Sequence, residues 1–232
     1  MDQESSREDL VSRLGSSVGT AMEVLADPKD FFARMPAGGE LEGPGIFAAV
    51  MLVATGAIQA LLSLVGLSPM GFFFSLLLTP IFGAIGLVIG AAILLFASRA
   101  LGGEASFESS LRIAAYTSAI APIHAVFSIV PYLPLLASAY GIYLAIVAVV
   151  AVHRVPEDRA WMVIGGIGAL LLAFSLVSTI AASRAERKLE GWGTHLEKSA
   201  EELGKAAEQW QQEMEKAAER MKKDLEGKDD DR

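Results

Sequence analysis

The sequence predicts an all-α fold: a polytopic membrane bundle of five transmembrane helices, with amphipathic helices before it and a long amphipathic, coiled-coil-like helix after it. Of the 232 residues, 53% are hydrophobic and none is cysteine. The chain has 19 Lys+Arg and 27 Asp+Glu, yet only eight of these charges lie between Gly43 and Ser183. A soluble globular domain carries charge along its whole length, because each of its elements has a wet face. This distribution excludes a soluble domain and predicts three regions, 1–42, 43–183 and 184–232.

The acidic N-terminal region is predicted to form two helices. Apolar residues recur at spacings of three and four residues, as in an amphipathic helix, at Leu10, Leu14, Val18, Met22 and Leu25. Asp27-Pro28 then predicts the cap and first residue of a second, short helix that carries Phe31 and Phe32. An aromatic pair so close to the first span favours a helix in the headgroup layer. Phe31 and Phe32 are therefore candidate contacts to the membrane or to a partner protein.

Two charged clusters divide region 43–183 into three uncharged blocks. A hydrocarbon core of about 30 Å needs about 20 residues of helix, so the length of a block counts its spans. Turn signals at 66–69 and 131–134 split the first two blocks. The predicted spans are Gly45–Leu67, Met70–Ser98, Ile113–Val130, Leu135–Val152 and Ala160–Ser183. The blocks lack the alternation of apolar and polar residues that is typical of outer-membrane barrel strands, so we interpret them as helices.

Lysine and arginine predict the orientation of the bundle. With five spans, the N-terminus shares one side of the membrane with the two charged loops, which hold four basic residues. The two tight turns on the other side hold none, so the N-terminus is predicted to be cytoplasmic. The tail would then emerge outside with Arg184, Arg187 and Lys188 beside the membrane, against the same rule. The side of the tail is left open.

Small residues and prolines are the candidate packing positions within the spans. Lipid provides no hydrophobic drive between helices, so small side chains that allow close approach supply the packing. The second span carries Gly83, Gly86 and Gly90, and the third carries Tyr116 and Pro122. Gly86 and Gly90 form a small-xxx-small pair, which fits either a dimer interface or, in the interpretation we prefer, packing within one bundle. Pro80 and Pro122 are predicted to kink their helices.

The spans contain none of the groups that pumps, ion-coupled carriers or enzymes use. No Asp, Glu, Lys or Arg lies within a predicted span, and His124 has no carboxylate partner in the sequence. Zinc, nucleophile-elbow and phosphate-loop motifs are absent. We predict no catalytic residue, no cofactor and no metal, and a net charge of −8 argues against nucleic acid as a partner. The alternative is a transporter or channel for a small neutral solute, along a path lined by Gln59, Pro80, Tyr116, Thr117, Pro122 and His124.

The tail is predicted to be one long amphipathic helix. Thr194 and Glu197 form a capping box. Apolar residues then recur every three or four positions at Leu196, Ala200, Leu203, Ala207, Trp210, Met214, Ala217 and Met221. A coiled coil, a helix on the bilayer surface and a free charged helix all fit this pattern. Because alanine fills three of these eight positions, we favour a surface or partner-docking helix, with Leu196, Leu203, Trp210, Met214 and Met221 as candidate contacts.

Several short motifs resemble those of a known family. They are DPKDFF at 27–32, ELEGPGIF at 40–47, SFESSLR at 106–112, Tyr116 and Pro122 in the third span, and Arg159-Ala160 before the last. The chain resembles the Yip (Ypt/Rab-interacting) family of five-span membrane proteins over about residues 27–180, and most of all its prokaryotic branch.

The resemblance implies a non-enzymatic protein of the prokaryotic cytoplasmic membrane with a cytoplasmic N-terminus. Eukaryotic members act in vesicle trafficking, membrane shaping and recruitment of prenylated GTPases, and this GTPase role is not carried over to the present chain. The acidic N-terminal segment departs from the eukaryotic pattern, and the tail is not part of the family core. We therefore expect a role in membrane organisation or partner recruitment, with the bilayer and a protein, or a second copy, as partners of the terminal helices.

Overall fold

The computed structural model describes residues 2–36, 38–66, 68–181, 198–199, 201–205, 208–210 and 214, and only the backbone of residues 2–11 and 13. The described residues are helical and contain no strand, which confirms the predicted all-α class. Contacts divide the chain into two units, Met1–Leu176 and Val177–Arg232, which are described separately. The division into regions 1–42, 43–183 and 184–232 stays a prediction.

Eight helices follow one another between residues 2 and 181. They are α1 (Asp2–Ala26), α2 (Pro28–Arg34), α3 (Glu42–Val65), α4 (Pro69–Ala100), α5 (Phe107–Thr117), α6 (Ala121–Phe127), α7 (Leu133–His153) and α8 (Glu157–Ala181). A 3-10 turn, Ser118–Ile120, joins α5 to α6. A π-helical stretch, Trp161–Gly165, follows the first turn of α8.

In the described chain, four uninterrupted helices are long and apolar enough to cross a membrane. They are α3, α4, α7 and α8, which match the first, second, fourth and fifth predicted spans. The third predicted span, Ile113–Val130, is instead divided between α5, the 3-10 turn and α6. Pro122 has no N–H to donate to the Ser118 carbonyl, and the Ala121 N–H bonds that carbonyl in the tighter 3-10 pattern. The membrane helix bundle is confirmed, whereas the count of five spans is not confirmed as predicted.

The core lies between α3, α5, α7 and the N-terminal helices. α3 packs against α4, α5 and α6, while α7 packs against α2, α5 and α6. The largest fully buried apolar side chains include Phe32, Ile113, Leu144 and Ile146. By contrast, only 11% of the most apolar stretch of α4 and 6% of that of α8 is buried. These two helices therefore present most of their apolar surface to their surroundings, which is the arrangement that a bilayer stabilises.

Candidate functional site

The two charged loops meet at one end of the bundle. The Glu104 N–H donates to the His153 carbonyl at 2.7 Å, and Arg154 Nη1 lies 3.1 Å from Glu104 Oε2. Arg159 Nη1 donates to the Leu101 carbonyl at 3.3 Å. The loop after α4 and the loop after α7 thus form one polar surface, which we call the loop end of the bundle (residues 99–106 and 153–159).

A histidine and three serines are buried beneath the loop end. His153 Nδ1 lies 2.8 Å from Ser98 Oγ, and His153 Nε2 lies 3.0 Å from Ser109 Oγ and 3.5 Å from Ser110 Oγ. All four side chains are essentially inaccessible to solvent. Each ring nitrogen faces a hydroxyl group, so the cluster satisfies its own polar atoms and links the ends of α4, α5 and α7. The arrangement joins helices and leaves no room for a substrate beside the imidazole.

Two glycines allow the loop end to close this tightly. Gly102 has a φ of +85°, in the region that favours glycine. A Cβ on Gly103 would lie 2.8 Å from the His153 carbonyl oxygen and 3.0 Å from that of Ser98, so the backbone leaves no space for a side chain. The Gly103 N–H donates to the same Ser98 carbonyl at 2.8 Å. The Gly102-Gly103 pair therefore serves a close approach of backbone segments.

Arg112 connects the segment before α3 to α5. Its Nη2 donates to the carbonyls of Gly39 at 3.0 Å and Glu40 at 3.2 Å, and lies 3.4 Å from Glu108 Oε1. Only 6% of the Arg112 side chain is exposed. A buried guanidinium needs such oxygen partners, because desolvating a charge without them is costly. Arg112 therefore fixes the polypeptide just before the membrane helices begin.

The N-terminal helices dock on the bundle through their buried faces. Asp27 Oδ1 accepts a bond from the Asp30 N–H at 3.3 Å and Pro28 opens α2, as the sequence predicts for a capped helix. Phe32 lies in the core with 1% exposure, and Tyr140 Oη donates to the Leu25 carbonyl at 2.5 Å. The docking of α2 on α7 thus differs from the membrane contact predicted for Phe32, because the bundle itself covers that ring.

Comparisons with known proteins agree with this architecture. The profile of the Yip1 domain matches residues 22–179, which is more than half of the chain and extends from the end of α1 almost to the end of α8. The chain belongs to the Yip1 domain family. No curated protein and no solved structure matches it significantly. The Yip1 domain and the apolar helices together make this a multi-pass membrane protein.

The candidate packing residues of the Yip1 domain occupy different environments. A Cβ on Gly83 would overlap the Leu52 side chain of α3, whereas Gly86 and Gly90 face open space. Tyr116 packs between two aromatic rings, with centroids 5.0 Å from Phe31 and 5.2 Å from Phe47. The structure therefore places Gly83 and Tyr116 at contacts between elements, and leaves Gly86 and Gly90 outside them. Pro122 lies at the start of α6, next to the 3-10 turn.

The residues suggested for a solute path do not come together in the Yip1 domain. Gln59 Oε1 accepts a bond from Thr79 Oγ1 at 2.7 Å, between α3 and α4. Thr117 Oγ1 donates to the carbonyl three residues earlier, and His124 lies on an exposed surface of α6. Pro80 lines an apolar cavity of about 270 Å³ together with Leu52 and other residues of α3 and α4. These positions are dispersed over separate surfaces, so the geometry does not favour a shared path.

Three of the candidate contacts of the tail lie among the described residues. Leu203, Trp210 and Met214 are helical, with 72%, 70% and 67% of their surface exposed. That they share one side of a single tail helix stays a prediction from their spacings of seven and four residues. Leu196 and Met221 lie outside the described residues.

Proposed function

We propose that this Yip1-family protein is a non-enzymatic scaffold that organises or shapes the membrane and recruits a partner to it. Three features of the described chain support the proposal: an unpartnered apolar stripe on α1, exposed apolar residues in the tail, and a buried cluster of polar groups beneath the loop end that bond to one another. The apolar stripe on α1 is the observation that carries the proposal.

One face of α1 binds the bundle while the apolar stripe points away from it. Ser17, Ala21 and Val24 are buried, whereas Leu14, Val18 and Met22 are 49%, 55% and 68% exposed. Side chains three and four residues apart share a face of a helix, so the exposed residues form one continuous stripe. The outward side of α1 therefore carries three large apolar side chains, whereas an amphipathic helix that faces water carries charged and polar side chains there.

α1 also lies near the level at which the membrane helices begin. Ser17 and Thr20 line a cavity of about 490 Å³ together with Glu42, the first residue of α3, and Glu40, which lies two residues before it. An amphipathic helix at this depth buries its apolar face in the boundary between headgroups and acyl chains. Each such side chain contributes about 1.5–3 kcal/mol on transfer out of water. The stripe on α1 is therefore suited to insert into one leaflet and displace its lipids.

The polar groups of the loop end support a role without catalysis. His153 and its serines are buried and bonded to one another, and Arg112 bonds to backbone carbonyls and Glu108. General acid–base or nucleophilic catalysis needs such groups within reach of a substrate. Here they join helices instead, which supports a role other than catalysis.

The membrane-shaping part of the proposal is tested with the full chain in vesicles. We expect vesicle diameter, measured by electron cryo-microscopy, to fall as the protein-to-lipid ratio rises. The triple variant Leu14→Gln, Val18→Gln, Met22→Gln removes the stripe and is expected to abolish the effect. The double variant Val18→Leu, Met22→Leu keeps the stripe apolar and is the matched control. Vesicles of unchanged diameter with the wild-type protein would reject membrane shaping.

The recruitment part is tested by photo-crosslinking in native membranes. A photoreactive amino acid at position 203 or 210 is expected to give a discrete product with a protein or a second copy, because both side chains are exposed. The same amino acid at position 144, which is fully buried, is the control and is expected to give none. If positions 203 and 210 give no more product than position 144, recruitment by the tail is wrong.

A further inference from the structure

A cavity at the loop end combines opposite charges, aromatic rings and an apolar wall. It has a volume of about 230 Å³ and lies between α2, α7 and the beginning of α8. Lys29 and Glu157 lie at its rim, Tyr143 and Trp161 form one wall, and aliphatic side chains of α7 such as Val150 form another. Since Glu157 is the first residue of α8 and the α7 residues extend from its middle, at Tyr143, to its last turn, the cavity runs from the level of the loops into the bundle.

The two charged groups face this cavity without pairing. Both side chains are exposed, and the ion pairs of the described chain join other residues. A lysine and a glutamate that share a cavity yet stay apart can each bind an ion of opposite sign. Lys29 offers an ammonium group to an anion such as phosphate, and Glu157 offers a carboxylate to a cation.

The aromatic wall is formed where α8 departs from regular α-helix. The rings of Tyr143 and Trp161 have centroids 6.4 Å apart and planes inclined at 39°. Trp161 is the first residue of the π-helical stretch, and a Cβ on Gly165 would lie 3.5 Å from its ring. π-helical turns are rare in proteins, and those that do occur are often found at functional sites. The faces of Trp and Tyr rings attract ammonium groups, and these residues are enriched where a membrane protein meets the headgroups.

We propose that this cavity binds the headgroup of a zwitterionic phospholipid. The phosphate lies at Lys29, the ammonium group lies between Glu157 and the Tyr143–Trp161 pair, and an acyl chain follows the apolar wall of α7. Phosphatidylglycerol presents the same phosphate to Lys29 but ends in a neutral glycerol, so it leaves the Glu157 carboxylate without a cation. This inference deepens the proposed scaffold function by naming the lipid class that the scaffold holds.

The test measures lipid retention on the purified full chain by native mass spectrometry in mixed detergent micelles. The probes are phosphatidylethanolamine, phosphatidylcholine and phosphatidylglycerol at equal concentration. We expect one molecule of either zwitterionic lipid to be retained at least about tenfold more tightly than phosphatidylglycerol, since one charge-assisted contact distinguishes them. Equal retention of the three lipids, or a preference for phosphatidylglycerol, would overturn the proposal.

Charge variants assign the two contacts. Lys29→Gln is expected to lower the affinity for all three lipids about tenfold, whereas Lys29→Arg keeps it. Glu157→Gln is expected to remove the preference for the zwitterionic lipids, because the ammonium group loses its carboxylate. Arg34→Gln is the matched control: it lies on the same short helix, pairs with Asp30 and is expected to change nothing. Wild-type retention in both Lys29→Gln and Glu157→Gln would overturn the site.

The same variants separate this inference from the proposed function. If the wild-type protein shrinks vesicles but shows no lipid preference, the site is wrong and the scaffold stands. If it retains the zwitterionic lipid but neither changes vesicles nor gives crosslinks, the scaffold is wrong and the site stands. Unchanged helix content by circular dichroism shows that a variant's loss of lipid is not a loss of fold.

Discussion

Helices α7 and α4 have nearly the same mean hydropathy but opposite places in the bundle. The most apolar stretch of α7 has a mean hydropathy of 2.4 and that of α4 has 2.5. Yet 39% of the stretch in α7 is buried, and only 11% of the stretch in α4. In water such similar helices would compete for the same core, because apolar surface is driven inward. In lipid that drive is absent, and packing contacts and hydrogen bonds decide which helix is central. Hydrogen bonds join both helices to their neighbours, through His153 of α7 and through Ser98 and Thr79 of α4, so the buried side chains of α7 make it the central one.

The largest expected change in the free energy of unfolding comes from replacing leucine by alanine in the core, and a matched exposed leucine is its control. Leu144 of α7 is fully buried, whereas Leu77 of α4 is 65% exposed. Leu144→Ala is expected to lower the free energy of unfolding by about 3 kcal/mol, since it leaves a cavity, and Leu77→Ala by less than about 0.5 kcal/mol. Unfolding of the full chain in bicelles under a denaturing detergent measures both. Equal losses would contradict the assignment of α7 as the central helix.

A second pair extends the comparison to the loop end. Arg112 is buried and bonds to two carbonyls, whereas Arg154 pairs with Glu104 while 76% exposed. Arg112→Gln is expected to cost about 2 kcal/mol of stability, because the Gly39 and Glu40 carbonyls lose a charged donor. Arg154→Gln is expected to cost about 0.3 kcal/mol, as for other exposed pairs. The same unfolding assay measures both, and a cost for Arg154→Gln as large as that for Arg112→Gln would refute this distinction.

The smallest expected change in stability distinguishes two kinds of glycine within α4, one that contacts α3 and two that do not. Gly83 faces Leu52, while Gly86 and Gly90 face open space. Gly83→Ala is expected to destabilise the bundle by about 1 kcal/mol, because Leu52 has to move. Gly86→Ala is expected to stabilise it by about 0.5 kcal/mol through helix propensity. If Gly86→Ala is instead destabilising and the loss depends on protein concentration, Gly86 lies in an interface between copies.

The distribution of charge, together with the turn signals at 66–69 and 131–134, predicted four of the membrane helices. Charged residues cannot lie in the hydrocarbon core without cost, so the clusters at 99–112 and 154–159 marked the ends of α4, α7 and α8. The Asp27-Pro28 cap was equally predictable, because it depends only on neighbouring residues. The third span was only partly predictable: Pro122 indicated a kink, but the charge-free length of 113–130 favoured one continuous helix over the two helices and 3-10 turn that form.

The contacts of the candidate site depend on residues far apart in the chain. His153 meets Ser98 across 55 positions and Ser109 across 44, and no local pattern encodes such a pairing. The place of α1 was ambiguous for a different reason. An amphipathic helix can pack its apolar stripe against lipid or against protein, and the sequence pattern is the same in both cases. Only the fold shows that Val24 faces the bundle and that Val18 does not. Lys29 and Glu157 line one cavity only because α2 and the beginning of α8 both pack against α7.

The length of α4 has a consequence for where the protein resides. With 32 residues it extends about 48 Å, against a hydrocarbon core of about 30 Å. A helix that is too long for its bilayer tilts or thickens the lipid around it, at a cost of fractions of a kcal/mol per Å of mismatch. The cost falls as the bilayer thickens, so we expect this chain to partition into the thicker regions of a membrane. The length of α4 is therefore expected to favour a bilayer of greater thickness.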